Sequence, residues 1–463
     1  MDLAMNPVRP AAVAGAFYPG PAAALSSTVL ALLAQAGPVS ASNVVPKAII
    51  VPHAGYIYSG ATAALAYARL AGARSRIRRV VLLGPVHRVP VRGLALPGVA
   101  AFATPLGQVE IDQAAVAALA DLPQVVVSTP AHAQEHSLEV QLPFLQSVLD
   151  DFKLLPLAVG NATPTEVAQV LERLWGGAET LIVISTDLSH FLPYGAAQTR
   201  DQESVQRIMK LDAVLTHEQA CGGTPVNGML LAARRHDLQV HLLGLCNSGD
   251  TAGDKNRVVG YAAFAFTPNP SAIASKNGER GTTLLPLARA AISTALGQPS
   301  NATADAPWLH EVGASFVTLT QNGQLRGCIG SLEARRPLLL DVQANAVAAA
   351  LRDPRFKPLT AAELPQTDIE VSVLSALQPI QFDSEAQALA QLRPGVDGLL
   401  FEYQQHRSTF LPQVWEQLPS ASQFMAHLKH KAGLTPDFWA DGVRLQRYTV
   451  QKWKETDDKK AGP

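Results

Sequence analysis

Four apolar, strand-like runs in the first 250 residues each lead into a residue able to bind a metal. Lys47–Val51 runs into Pro52-His53, and Arg79–Leu83 into Gly84-Pro85-Val86-His87. Thr180–Ile184 runs into Ser185-Thr186-Asp187-Leu188-Ser189-His190, and Val240–Leu245 into Cys246. In an open α/β sheet, ligands gather in the crevice beyond the carboxyl ends of the strands. If these strands are parallel and adjacent, His53, His87, Asp187, His190 and Cys246 converge there. Helix-like stretches alternate with the runs at 60–72, 112–121, 137–150, 164–175, 198–212 and 225–236. That alternation predicts an α/β domain over residues 1–266, with a mostly parallel sheet covered by helices on both faces.

The chain of 463 residues is long enough for two or three domains. Its 48% apolar and 16% charged content suits a well-cored protein and excludes a disordered one. A net charge of -1 with no basic patch argues against nucleic acid as the main partner. No apolar run approaches the roughly 18 residues that cross a bilayer, so no membrane role is expected. The run Pro21–Gly37 looks a little like a signal-peptide core, but Asp2 stands where a signal would be basic and Pro19-Gly20-Pro21 precedes it. An amphipathic helix packed on the sheet is the better reading. Three cysteines, Cys221, Cys246 and Cys328, make no disulfide framework and suit a reducing cytoplasm, where a lone thiolate can serve as a ligand.

Residues 267–281 are rich in Pro, Ser, Asn and Gly and read as a linker. Beyond it, residues 282–453 have an α+β texture. Helices are predicted at 283–296, 337–351, 412–418 and 421–431, and strands at 369–374, 398–403 and 443–451. Gln321-Asn322-Gly323-Gln324 between two alternating runs predicts a hairpin. The tail 454–463 reads as frayed.

Each candidate residue has a chemical reason. His53 and His87 both follow a strand and a Pro-containing turn, and neutral imidazole is the commonest metal ligand. Cys246 opens a polar, Gly-rich loop from which a thiolate could reach an ion. Asp187 and His190 share one turn, where either could ligate, or His190 could move a proton with Asp187 fixing its tautomer. His136 and Glu139 share a face at a helix start and are candidates for the surroundings of the metal. In the second half, Arg326 and Cys328 sit two apart in a strand and share a side, although a structural role for Cys328 is the simpler reading.

At this point the residues carry a resemblance. Val13–Pro19, Pro52–Tyr56, Leu83–His87, Glu135–Pro143 and Ser185–His190 occur in the order found in the Memo family, also called AmmeMemoRadiSam system protein B. Residues 8–266 resemble that family throughout. The resemblance implies a fold like the class III extradiol dioxygenases and binding of iron or copper. It implies His53, His87 and Cys246 as metal ligands, with Asp187 and His190 lining the same pocket. Residues 281–452 resemble the AMMECR domain (AmmeMemoRadiSam system protein A), carried by Leu325–Ser331, Asp353–Phe356 and Ile369–Leu374. The shared names reflect an association with a radical SAM protein, which is the expected partner.

The expected function is a mononuclear, metal-dependent, dioxygenase-like oxidoreductase acting on a substrate the sequence does not name. Iron is the expected metal, with copper or zinc as alternatives. A Cys in place of the carboxylate of the facial triad points away from ordinary catechol cleavage. Two other classes stay open. One is a zinc hydrolase with Glu139 or His190 as base. The other is a non-catalytic adaptor that binds a partner.

Overall fold

Alternate residues of the central strands face two different cores. Ile49, Val51, Val80, Leu82, Leu181 and Val183 enter one hydrophobic cluster. Ala48, Ile50, Val81, Leu83, Ile182 and Ile184 enter the other. Strands buried on both faces read as continuous apolar runs, and each fully buried Val, Leu or Ile contributes roughly 1.5–3 kcal/mol. The computed structural model describes residues 8–37, 44–300 and 302–455. It divides into two compact units, residues 1–273 and 274–463.

The first unit is built on one mixed sheet. Its middle is parallel: Ala48–Val51, Thr180–Ser185, Arg79–Pro85 and Lys153–Val159 lie side by side in that order. Helices such as Pro164–Arg173, Gly223–Arg235 and Tyr56–Tyr67 cover it, as expected of the α/β class. Leu25 and Val29 of helix Ala22–Gln35 join the first core, so that segment is a packed helix. At one edge the direction reverses. Val258–Pro268 runs antiparallel to Ala48–Val51, and Leu238–Asn247 runs antiparallel to Val258–Pro268 on its other side. The strand that carries Cys246 therefore points the same way as the parallel strands but lies one strand further out than expected.

One expectation is corrected here. The segment 267–281 is not irregular: strand Val258–Pro268 gives way to helix Pro270–Ala295. The same Pro and Asn residues that suggest a linker also start helices. Asn269 accepts a hydrogen bond from the Ser271 N–H, and Pro270 sits where a missing N–H costs nothing. The tail is tied down as far as Glu455, whose carboxylate pairs with Arg289 at 2.6 Å, while residues 456–463 lie outside those described.

The second unit is α+β with antiparallel sheets. One runs Gln324–Gly330, Val312–Gln321, Thr367–Leu374, Val450–Lys454, and helix Leu338–Leu351 packs Val342 and Ala346 against Val317 and Leu319. The other runs Gln378–Ile380, Arg444–Tyr448, Gly398–Tyr403, His406–Phe410, under Phe424 and Leu428 of helix Ala421–Lys431. The predicted hairpin forms, with Asn322 at φ 50° and Gly323 at φ 77°, as a primed turn requires. Among the described residues no helix is long and apolar enough to cross a membrane.

Candidate metal centre

Three imidazoles meet beyond the ends of the parallel strands. His53 lies two residues past Ala48–Val51, and His87 two past Arg79–Pro85. His136 opens the short helix His136–Glu139. One ring nitrogen from each lies within 4.8 Å of those of the other two. The ring centroids are 4.6 to 5.3 Å apart. Gly84 allows the third to come in. A Cβ there would meet Ser137 Oγ at 2.8 Å, so only glycine lets the turn Glu135–Ser137 sit against the strand.

Hydrogen bonds fix which nitrogen His53 and His87 present. Ser185 Oγ donates its one proton to the Ser137 carbonyl at 2.6 Å and accepts from Gln141 Nε2 at 2.9 Å. Toward His53 Nδ1, 2.9 Å away, it can only accept, so Nδ1 carries the proton and Nε2 presents a lone pair. His87 Nδ1 donates to Glu135 Oε1 at 2.9 Å, and its backbone N–H donates to Oε2 at 2.6 Å. His136 Nδ1 lies 3.3 Å from the same Oε1. An oxygen behind each ring is the arrangement that orients metal-ligating histidines.

The electrostatics agree. Burial holds His53 well below the ordinary imidazole range, helped by the neighbouring rings of His136, His87 and His190. Burial likewise lowers His136 to about 4, against the pull of Glu135. Burial pushes Glu135 up, but the hydrogen bonds from the His87 ring, Ser137 N–H and His87 N–H outweigh it and bring the carboxyl down to about 2. The site thus combines the lowered imidazoles of His53 and His136 with the Glu135 anion beside His136, and neutral imidazole is the form that binds a metal.

A fourth donor stands beside the three. Cys221 Sγ is 3.3 Å from His53 Nε2 and accepts from the Asp187 N–H at 3.4 Å. Burial and then the Asp187 charge push its thiol up to about 12, so the sulfur keeps its proton and faces the lone pair of His53 Nε2. Cys221 precedes helix Gly223–Arg235, with no strand before it. The only sequence signal was the Cys221-Gly-Gly-Thr-Pro225 run that opens that helix.

Cys246, expected as a ligand, is elsewhere. It pairs across the ladder with Tyr261, two strands from Ala48–Val51, or roughly 10 Å sideways at normal strand spacing. Its sulfur meets Thr62 Oγ1 at 3.0 Å. Glu139 also leaves the site. Its two oxygens are filled by Arg9 Nη1 at 2.7 Å, the N–H groups of Ala12 and Val13, and the Tyr18 hydroxyl. Arg9 in turn donates to the carbonyls of His132 and Glu135, so this pair clamps the ligand-bearing turn from outside.

Asp187 does border the cluster, with Oδ2 3.9 Å from His53 Nε2, but its partner is not His190. Oδ1 accepts from the His53 N–H at 2.8 Å. Burial raises Asp187 to about 7, against that bond. The tautomer of His190 is set instead by the Leu188 carbonyl, which takes the Nδ1 proton at 2.8 Å and leaves Nε2 able to accept one. A cavity of ≈ 290 Å³ reaches Cys221, walled by Pro85, Val86, Val91, Val159 and His217.

In the second unit, Arg326 and Cys328 have structural partners. Arg326 donates to the Lys357 carbonyl at 2.8 Å. The Cys328 N–H donates to Asp353 Oδ2 at 2.8 Å, and its sulfur accepts from Thr318 Oγ1. The glycine between them, Gly327, marks a close approach, since a Cβ there would lie 2.2 Å from the Ala349 carbonyl oxygen.

Comparison with known proteins places both units. A family model described as Memo-like protein matches residues 9–265, and one described as AMMECR1 matches residues 285–453. A MEMO1 family protein of Aquifex aeolicus is 38% identical over 272 residues, covering 56% of this chain and 99% of the relative. One from Ignicoccus hospitalis is 36% identical over 283 residues, covering 56% and 98%. Among solved structures, the uncharacterized protein PH0010 from Pyrococcus horikoshii is 33% identical, covering 38% of this chain and 92% of its own, at a TM-score of 0.35.

Proposed function

Because the chain belongs to the Memo family, we propose that its first unit holds one transition-metal ion between His53, His87 and His136, with Cys221 as the adjoining thiolate, and performs oxidoreductase chemistry there. The observation that carries this reading is the three-imidazole cluster, each ring backed by an oxygen. Iron or copper, when bound, would add electron transfer to Lewis acidity, whereas zinc would supply polarisation alone. The mixed imidazole and thiolate donors suit all three metals, and iron is the one we put first. Free cysteines suit a reducing compartment.

The chain's own residues have separable tasks. Cys221 would release its thiol proton to solvent on taking the ion. Glu135 and Ser185 hold the rings in register. His190 Nε2 accepts or returns a proton at the substrate. The cavity beside Cys221 takes a small molecule against its Pro and Val walls. The radical SAM partner belongs to this proposal too, supported by the family resemblance alone.

The test is metal content of the full chain after loading with Fe(II), Cu(I) or Zn(II) in parallel. One ion per chain is expected. His136→Ala and Cys221→Ser should each lose metal affinity by about tenfold or more, while Cys246→Ser keeps it. Wild-type metal content in both of the first two variants would sink the centre. Consumption of O₂ with a reductant separates the iron and copper readings from zinc.

A further inference from the structure

The run Leu325–Ser331 ends at a cavity of ≈ 480 Å³ in the second unit, lined by Ser331, Leu332, Glu333, Arg335, Arg336 and Arg407, with Asp341 at its floor. We propose that this cavity is a separate binding site for a small organic anion, held by its phosphate or carboxylate head.

The floor is a buried polar network. Asp341, in the first turn of helix Leu338–Leu351, is 1% exposed. Its Oδ2 accepts from the Ser315 N–H at 2.8 Å, Ser315 Oγ at 2.7 Å and Asn345 Nδ2 at 2.9 Å. Its Oδ1 accepts from Ser331 Oγ and Arg336 Nε, both at 2.9 Å. A buried carboxylate of this kind adds little stability over well-packed apolar residues. What it does here is aim a guanidinium. Arg336 is anchored through Nε, and among the described residues its two terminal amino groups make no hydrogen bond.

Two more guanidiniums converge on the same space. Arg335 Nε holds Glu333 Oε2 at 2.8 Å, and Arg407 holds Glu333 Oε1. Arg407 is braced from behind by Glu402 at 3.1 Å. Glu333 is a partly exposed side chain on a loop, held among the described residues only by these two arginines. The protein's own carboxylate therefore occupies the position that a ligand's oxyanion would take between two planar forks, the geometry at which Arg excels. Leu332 supplies an apolar wall, and the volume exceeds what an inorganic anion needs, so an organic body is expected behind the head.

The experiment titrates the full chain with phenyl phosphate, benzoate and inorganic phosphate, with phenol as the neutral probe, by calorimetry. Saturable binding of an aryl anion and none of phenol is expected. Tighter binding of phenyl phosphate assigns a phosphate head, and tighter binding of benzoate a carboxylate. The Arg335→Ala/Arg407→Ala double variant should bind about tenfold or more weakly with an unchanged unfolding transition, since both side chains are exposed enough to lose without a cavity. Arg336→Lys, which keeps the pairing with Asp341 but loses the fork, should weaken binding as well. No saturation at millimolar concentration, equal binding of phenol, or wild-type affinity in the double variant would overturn the site.

Discussion

Cys221 and Cys246 both lie toward the carboxyl end of the parallel strands of one sheet, and burial raises both thiols. One meets an imidazole nitrogen, the other a threonine hydroxyl. The local sequences do not explain the difference. Cys246 follows a strand and leads a Gly-rich polar loop, the better-looking site by composition. Cys221 has no strand before it. What separates them is pairing: Cys246 rides a strand on the far side of Val258–Pro268, while the loop of Cys221 is tied to the end of Thr180–Ser185. There Gly222 N–H donates to Thr186 Oγ1 and Asp187 N–H to the sulfur. Ligand sets follow the order of strands in the sheet, not the attractiveness of a loop.

The contrast can be broken at three depths. The largest effect should come from Glu139→Ala. It leaves Arg9 buried without its ion partner, and loss of one member of such a pair costs about 3–5 kcal/mol. Urea unfolding measures it. A loss under about 1 kcal/mol would mean that the clamp does not hold the crevice side together. The second is pH. Burial keeps the Cys221 thiol protonated until about 12, so an ion that takes the thiolate releases one proton and binds more tightly as pH rises. His53 and His136 are lowered and have already shed their protons near neutrality, so they add nothing to the slope. Affinity should rise about tenfold per pH unit around neutrality, in the wild type and in Cys246→Ser, and Cys221→Ser should lose that slope except for the share of Asp187, which titrates near 7 beside His53. A flat wild-type profile removes the thiolate from the ligand set. The smallest effect belongs to the rim: Thr62→Val should cost about 1 kcal/mol or less of stability and leave metal content unchanged.

The strands with both faces buried, the Asn322-Gly323 turn and the helices with clear periodicity were all legible, because each depends on a local pattern. His53 and His87 were legible for the same reason: a strand stops at a Pro-containing turn and the next polar residue enters the crevice. The antiparallel return of Val258–Pro268 left no local trace, so Cys246 was misplaced and Cys221 passed over. Glu139 misled because its partner, Arg9, lies 130 positions away and pairs from outside the crevice. Pro and Asn at 268–270 were ambiguous in principle, since the same residues end strands, fill loops and begin helices.

The turn Glu135–Ser137 has one more consequence. Its Glu135 carboxylate steers His87 and borders His136, and its Ser137 carbonyl holds the hydroxyl that steers His53. Three rings from three distant segments therefore share a single hinge point. A nudge to that turn cannot spoil one bond and spare the others; it retunes the whole set together. A substitution in this turn therefore reaches all three rings of the proposed centre without touching His53 or His87 themselves.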